Sequence, residues 1–214
     1  MSHSKLFHAS ARPAGHGITI GTPRLYDLSS LLFFGRRRAY RLLLSAGDVR
    51  RGDRVLDVGS GPGYFARMLA EAVGKEGSVV GVDAAPEMID YANKQARHLS
   101  NCSFQSGTAE SLGFPDASFD MVASSLMMHH LPDEARLPAV REMKRVLRPG
   151  GKLLLADFTI PEHGAWRVVA MLTGHAEMQR RVPPLEPLIA EAGFTEIRSG
   201  EAPPWLHFVR AVNR

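Results

Sequence analysis

Several features are scarce in this sequence of 214 residues, and each absence narrows the class of protein. A single cysteine, Cys102, excludes an internal disulfide framework and is typical of a reducing cytoplasm, where we expect the chain to reside. The longest apolar run, residues 28–34, is far shorter than the ~20 residues of a membrane-spanning helix, so no stable membrane insertion is predicted. Residues 1–11 lack the apolar core of a secretory signal peptide.

An excess of charge of one sign is also absent. Lysine and arginine number 26 against 22 aspartate and glutamate residues, which gives a net charge of +4. The one dense basic cluster, Arg36, Arg37, Arg38 and Arg41, is interpreted as a solvated helix face, with a phosphate or anionic-membrane contact as the alternative. The aromatic residues have no regular spacing that would stack bases, and the histidines have no metal-ligand spacing, so neither nucleic acid nor metal is expected.

The length suits one domain with modest terminal additions. We divide the chain into an N-terminal segment, residues 1–46, and a main domain, residues 47–214. Residues 26–46 are rich in apolar side chains and are predicted to form one or two helices, which would act as a lid over the main domain.

From residue 54 onward, short apolar runs that read as strands alternate with helical patterns. The predicted strands are 54–58, 78–82, 102–105, 119–124, 152–158, 194–198 and 206–212. One predicted helix begins after Gly63, and the others span residues 86–99, 134–147, 165–178 and 185–192. This alternation indicates an α/β fold with a doubly wound, mainly parallel seven-stranded sheet covered by helices on both faces.

A glycine-rich turn and an acidic residue follow the first two predicted strands. Residues 57–63 read DVGSGPG, and Gly59, Gly61 and Gly63 permit a tight turn and the close approach of a ligand to the backbone. The helix that follows offers free N–H groups at its start. Asp83 ends the second strand, where a carboxylate can accept hydrogen bonds from both hydroxyls of a ribose. Together these features predict a site for a nucleoside-containing cofactor.

Two side chains bear on the class of that cofactor. Tyr64 occupies the position of the third glycine in a dinucleotide fingerprint, and its bulk argues against close packing over a pyrophosphate. Asp57 would repel a diphosphate, whereas it would hold the cationic amino group of a methionine moiety. These points favour S-adenosylmethionine (SAM) over NAD, and a nicotinamide-dependent oxidoreductase stays as an alternative.

Four segments resemble successive motifs of class I SAM-dependent methyltransferases, whose fold is Rossmann-like. They are DVGSGPGYFA, VDAAPEMIDYA, GTAESLGFPDASFDMVASSLMMHHL and REMKRVLRPGGKLLLADF. The closest resemblance, over residues 24–160, is to the ubiquinone/menaquinone-biosynthesis C-methyltransferases and related small-molecule enzymes. The quinone enzymes usually carry G-[LI]-R-N where this chain has MHHL at residues 128–131, so the wider group fits better than quinone methylation itself.

The resemblance implies which residues surround SAM. The methionine part would lie against Asp57, Gly59, Ser60, Gly61 and Gly63. Asp83 would bind the ribose, and the adenine would be bordered by Ala84, Met88, Thr108 and Ala109. Ser125 would lie near the sulfonium. Tyr26 would close over the cofactor from the lid, with a packed position within a helix as the alternative. The family commonly has Asp or Asn at the position of Thr108, so a bond from this residue to the adenine amino group stays open.

The implied activity is methyl transfer to a small organic acceptor, either aromatic, quinone-like or another secondary metabolite. His129 and His130 follow the fourth strand and are the candidates for a general base, with capping of the turn before Pro132 as the alternative. The acceptor pocket is predicted between the N-terminal helices and residues 165–178, which include Trp166 and Met171. We expect the protein to be a monomer or a homodimer.

Two further functions stay open at this stage. A nucleic-acid methyltransferase acting on exocyclic amines would carry a [DN]-P-P-[YFW] segment, and the nearest approach is APPW at residues 202–205. A non-catalytic protein that binds SAM or a nucleoside is the other alternative, because the glycine turn and Asp83 indicate binding but not turnover.

Overall fold

The protein is described by a computed structural model over residues 36–159, 182, 184–203 and 206–214. The predicted lid up to residue 35, including Tyr26, and the predicted helix 165–178 lie outside these residues. The described helices are α1 (Arg36–Ala46), α2 (Tyr64–Val73), α3 (Pro86–Gln95), α4 (Asp133–Val146) and α5 (Leu185–Glu191). The strands are β1 (Arg54–Val58), β2 (Ser78–Asp83), β3 (Cys102–Ser106), β4 (Phe119–Ser125), β5 (Leu147–Phe158), β6 (Thr195–Ala202) and β7 (Leu206–Val212).

The seven strands form one sheet in the order β3-β2-β1-β4-β5-β7-β6. Neighbouring strands from β3 to β5 are parallel, and β7 joins β5 and β6 in antiparallel pairing. The predicted doubly wound, mainly parallel sheet of seven strands is therefore confirmed. The strand order reverses between β1 and β4, and ligands of such sheets bind beyond the carboxyl ends of the strands at this switch point.

A separate apolar core covers each face of the sheet, because successive residues of a strand point to opposite sides. On one face α1, α2 and α3 bury side chains such as Leu43, Leu69 and Ile89. On the other face α4 and α5 bury Met143 and Ile189. The helices pack against the two faces of the sheet, so the carboxyl ends of the strands lie along one edge of it.

Several element boundaries differ from the prediction. Helix α3 ends at Gln95 instead of residue 99, because the chain turns there and the Leu99 N–H donates to the Ala96 carbonyl. Strand β5 begins at Leu147, whereas residues 148–151 were predicted as a stop before a strand at residue 152. Residues 150 and 151 pair instead with Asn213, whose side-chain amide donates to the Leu147 carbonyl at 2.7 Å.

Smaller shifts affect the other elements. Helix α4 runs one residue earlier than the predicted 134–147, with Asp133 and Glu134 in its first turn, where the helix dipole favours negative charge. Strand β6 spans Thr195–Ala202 instead of 194–198. Within the described part of the chain, every helix falls short of the length and apolar character that crossing a bilayer requires.

Candidate cofactor and acceptor site

The glycine-rich turn leaves the end of β1 and enters α2. The N–H groups of Gly59 and Ser60 both donate to the Val82 carbonyl, at 2.8 and 3.0 Å, which holds the turn against the end of β2. Gly59, Gly61 and Gly63 have φ angles of +72°, +50° and +76°. Since residues with side chains rarely adopt these conformations, the three glycines are needed for the path of the backbone.

Two of these glycines are also required by packing. A Cβ atom on Gly59 would lie 2.2 Å from Cγ of Met127, and one on Gly63 would lie 2.6 Å from Cζ of Phe104. A Cβ atom on Gly61 would meet nothing within 4 Å. The turn is therefore closely packed at both ends and open at its centre, which is where a ligand can approach the backbone.

Asp83 lies beside the open centre of the turn. Its carboxylate accepts hydrogen bonds from the backbone N–H of Gly61 at 2.7 Å and of Ala85 at 2.9 Å. Burial raises its pKa above the usual range, against the lowering effect of these two hydrogen bonds. Because a carboxylate has about four acceptor positions, two remain for hydroxyl groups of a ligand.

Asp57 is a buried acid with no cation beside it in the described residues. It is 1% exposed, and its Oδ2 atom has no hydrogen-bond partner among those residues. Burial, and to a lesser extent the charge of Asp83, raises its pKa to about 8. In the absence of a ligand the carboxyl group of Asp57 therefore keeps its proton to a higher pH than an ordinary aspartate does. A cationic ligand group would favour the ionised form.

The residues predicted at the adenine lie around the ends of β2 and β3. Ala84 is exposed, Met88 is buried within α3, and Ala109 is buried beyond β3. The Gly107 N–H donates to the Asp83 carbonyl at 3.0 Å, which brings the half-buried Thr108 to the same edge. Asp57, Asp83 and the segment that follows β3 therefore lie at the same edge of the sheet.

At the end of β4, the hydroxyl of Ser125 donates to the hydroxyl of Tyr40 at 3.4 Å. Tyr40 belongs to α1, and its ring stacks on Phe65 of α2 with ring centroids 4.8 Å apart. The contact from the N-terminal segment was predicted at Tyr26, which lies outside the described residues, and Tyr40 was missed. Tyr40 and Leu43 are three residues apart and both lie on the buried face of α1. This helical spacing was the signal in the sequence that Tyr40 faces the main domain.

The two predicted base candidates differ in their surroundings. His129 is 4% exposed, and its Nδ1 atom lies 2.7 Å from Oδ1 of Asp157. Its Nε2 atom is buried without a hydrogen-bond partner among the described residues. His130 is half-buried, and the centroids of the two imidazole rings are 4.1 Å apart. Asp157 was missed by the sequence analysis, although an acid near the end of an apolar strand was a visible signal.

Cys102 opens β3 and is only partly buried. Burial is the main cause that raises the pKa of its thiol to about 12. Because the thiolate is the nucleophilic form, the residue is unsuited to act as a nucleophile.

Comparison with known proteins agrees with this geometry. Residues 55–151 match the model of a family described as a methyltransferase domain. This region contains the glycine turn, Asp83, Ser125 and both histidines. Residues 55–151 therefore form a methyltransferase domain, and the strand order of the sheet around them agrees with the class I SAM-dependent fold that the sequence resemblance implies.

Individual relatives support the same class. Over 123 residues the chain is 41% identical to the uncharacterized methyltransferase YcgJ of Bacillus subtilis, covering 56% of this chain and 47% of that protein. Over 141 residues it is 37% identical to the ubiquinone/menaquinone biosynthesis C-methyltransferase UbiE of Proteus mirabilis, covering 64% and 55%. The chain thus spans about half the length of these curated relatives.

A solved structure of a SAM-dependent methyltransferase from Aquifex aeolicus superimposes with a TM-score of 0.73. The alignment covers 90% of this chain and 99% of that one at 22% identity, which shows a shared fold.

Proposed function

We propose that this chain is an active SAM-dependent methyltransferase that transfers a methyl group to a small organic acceptor. The observation that carries the proposal is the arrangement of Asp57, Asp83 and the open turn at Gly61 within the matched domain. SAM, when bound, supplies a methyl carbon on a sulfonium, and the residues of the chain bind it and orient it.

The chemistry of the site suits each part of SAM. The start of α2 offers backbone N–H groups to the carboxylate of the methionine part, because the first N–H groups of a helix have no partner within it. Asp57 suits the cationic amino group, because a buried acid is stabilised in its ionised form by a nearby cation. The two free acceptor positions of Asp83 suit the ribose hydroxyls. On the family pattern, Ala84, Met88, Thr108 and Ala109 border the adenine, and Ser60 and Ser125 face the methionine side.

The first test is titration calorimetry of the wild-type protein with SAM, S-adenosylhomocysteine and NADH. We expect binding of the first two and not of NADH. Asp83→Asn removes a charged acceptor and should weaken SAM binding by about 10- to 150-fold, which corresponds to 1.5–3 kcal/mol for a hydrogen bond to a charged group. Asp90→Asn, at an exposed position of α3, is the matched control and should bind normally.

The second test separates methyl transfer from binding alone. SAM with a tritiated methyl group is incubated with the protein and either a small-molecule extract or total RNA. Label in organic-soluble products supports the proposal, whereas label in RNA would favour a nucleic-acid methyltransferase. Tight binding of SAM with no transfer to either fraction would favour a non-catalytic binding protein. Failure of the wild-type protein to bind SAM would overturn the proposal.

A further inference from the structure

Asp157 lies at the centre of a buried polar cluster at the end of β5. Its side chain is 0% exposed and makes three hydrogen-bond contacts. Oδ2 accepts from the backbone N–H of His129 at 3.1 Å, and Oδ1 accepts from the backbone N–H of Phe158 at 2.8 Å. The third contact, at 2.7 Å, joins Oδ1 to Nδ1 of His129.

This pattern determines which nitrogen of the His129 ring carries the proton. Backbone N–H groups donate to both oxygens of Asp157, so these oxygens act as hydrogen-bond acceptors in this cluster. The short contact to Nδ1 therefore requires a proton on Nδ1. In a neutral imidazole the other nitrogen, Nε2, is then a bare acceptor.

The bare nitrogen has no partner in the described part of the protein. Nε2 of His129 is buried and makes no hydrogen bond there. Burying an acceptor without a partner is unfavourable, so buried polar atoms of this kind are uncommon in native proteins. A histidine with a purely structural role would be expected to use both ring nitrogens. Because the contact with Asp157 keeps Nε2 of His129 unprotonated, this nitrogen can accept a hydrogen bond from a donor group of a ligand.

The position of His129 relates it to the cofactor turn. Met127, two residues earlier, packs against Gly59 so closely that a Cβ there would lie 2.2 Å from its Cγ. Ser125, four residues earlier, ends β4, and the Leu126 N–H donates to the Ala156 carbonyl at 2.9 Å. The segment 125–129 therefore runs between the glycine turn and the end of β5, at the edge of the sheet that carries the proposed site.

We propose that Asp157 and His129 form a proton-accepting pair for the methyl acceptor, and that this acceptor carries a weakly acidic hydroxyl group of the phenol or enol type. The inference rests on the proposed methyltransferase function and specifies the substrate class. Asp157 is a positioning residue that fixes the tautomer, and His129 is the group that touches the acceptor.

The choice of a hydroxyl follows from acid–base chemistry. A neutral amine already has a lone pair that can attack a methyl carbon, and a thiol with a pKa near 8.5 ionises readily by itself. A phenol with a pKa near 10 stays protonated at neutral pH and gains most from a base.

The acceptor O–H bond breaks and its proton binds Nε2. An electron pair of the acceptor forms a bond to the methyl carbon, through oxygen or through a ring carbon conjugated with it. The bond from that carbon to sulfur breaks, and its electron pair stays on the sulfur. The positive charge has then moved from the sulfonium to the imidazolium, where the carboxylate of Asp157 stabilises it.

The first experiment tests the tautomer and needs no substrate. Long-range ¹H–¹⁵N NMR of the wild-type protein, with His129→Gln to assign the signals, should show a protonated Nδ1 and an unprotonated Nε2. In Asp157→Asn, an amide N–H group replaces one of the two carboxylate oxygens. When this group donates to Nδ1 of His129, the ring proton must lie on Nε2, so we expect the tautomer to change to Nε2–H. An Nε2–H tautomer in the wild-type protein would overturn the proposal whatever the activity.

The second experiment tests the acceptor class with catechol and 2-naphthol as hydroxyl probes and quinoline as an acceptor without a proton to lose. Transfer to the hydroxyl probes should fall by about 10²- to 10⁴-fold in His129→Gln and Asp157→Asn. SAM binding should stay within about twofold of the wild type, which separates this proposal from the methyltransferase proposal. Asp120→Asn, at the other end of β4, and His98→Gln, at an exposed position, are the controls. Preferred methylation of quinoline, or unchanged transfer in both variants, would overturn the proposal.

Discussion

Asp57 and Asp83 lie at the ends of adjacent parallel strands, and the negative charge of Asp83 adds to the burial that raises the pKa of Asp57 to about 8. The two acids have different roles because their surroundings differ. Asp83 accepts two backbone hydrogen bonds, whereas Oδ2 of Asp57 accepts none among the described residues. On the proposed function, Asp83 would supply the fixed acceptor for the ribose, and Asp57 would ionise when the cationic amino group of SAM binds.

The first prediction concerns the pH dependence of SAM binding. A cationic ligand binds the ionised form of Asp57, so binding at pH 6 to 7.5 requires the loss of a proton from a group with a pKa of about 8. The affinity should therefore rise with pH over this interval, by up to about tenfold per pH unit. Calorimetry in buffers of different ionisation enthalpy measures both the affinity and the proton released. In Asp57→Asn the affinity should be lower and independent of pH, and a pH dependence that survives this substitution would contradict the prediction.

The second prediction concerns the free energy of unfolding, which also depends on Asp57 but changes with pH in the opposite direction to the affinity for SAM. The pKa of Asp57 is raised on folding, so the folded protein binds more protons than the unfolded chain between pH 4 and 8. The free energy of unfolding therefore falls as pH rises through this window. Asp57→Asn should make the free protein more stable at pH 8, by on the order of a few kcal/mol. Urea denaturation at pH 5 and pH 8 checks this, and an equal difference between the two proteins at both pH values would refute it.

Much of the fold and part of the site could be predicted because the signals are local in the sequence. Strands and helices alternate with clear apolar patterns, and Gly59, Gly61 and Gly63 lie within one short turn. Asp83 was found because the end of the next strand must lie beside that turn in a parallel sheet. The confirmed sheet order places both features at the same edge.

The missed features depend on contacts between residues far apart in the chain. Ser125 and Tyr40 are 85 positions apart, and His129 and Asp157 are 28 apart, so no local pattern joins either pair. The raised pKa of Asp57 likewise depends on how deeply the packed sheet buries the side chain, which no local pattern in the sequence indicates. In each case the missing information is the three-dimensional surroundings of a polar group.

The third prediction concerns a surface cluster that joins α5 to the edge of the sheet. His207 on β7 lies 3.0 Å from a carboxylate oxygen of Glu186 and 3.0 Å from one of Glu201. Burial lowers the pKa of His207, but hydrogen bonds to Glu201 and Glu186 outweigh it, and the net shift is upward. The stabilising effect is therefore fully present below the unfolded pKa, near 6.5, and is lost as pH rises through the higher folded pKa.

His207→Gln keeps a polar side chain but removes this titration. The wild-type protein should lose stability relative to this variant between pH 6 and 9, and a matched substitution of the exposed His98 should leave the wild-type profile unchanged. Thermal or urea denaturation across this range provides the measurement. Parallel stability profiles for the wild type and His207→Gln would show that the cluster contributes nothing.

The fourth prediction compares Gly59→Ala with Gly61→Ala, because the two glycines share a left-handed backbone but differ in the space around them. A Cβ on Gly59 would clash with Met127, whereas one on Gly61 would meet open space. Gly59→Ala should lower the free energy of unfolding by about 2–4 kcal/mol, through overpacking and backbone strain together. Gly61→Ala should cost only the backbone strain, about 1–2 kcal/mol, yet it should weaken SAM binding by tenfold or more, because the new methyl group occupies the approach to the backbone. Urea denaturation and calorimetry on both variants separate the two effects, and normal SAM affinity in Gly61→Ala would show that the ligand does not lie over the centre of the turn.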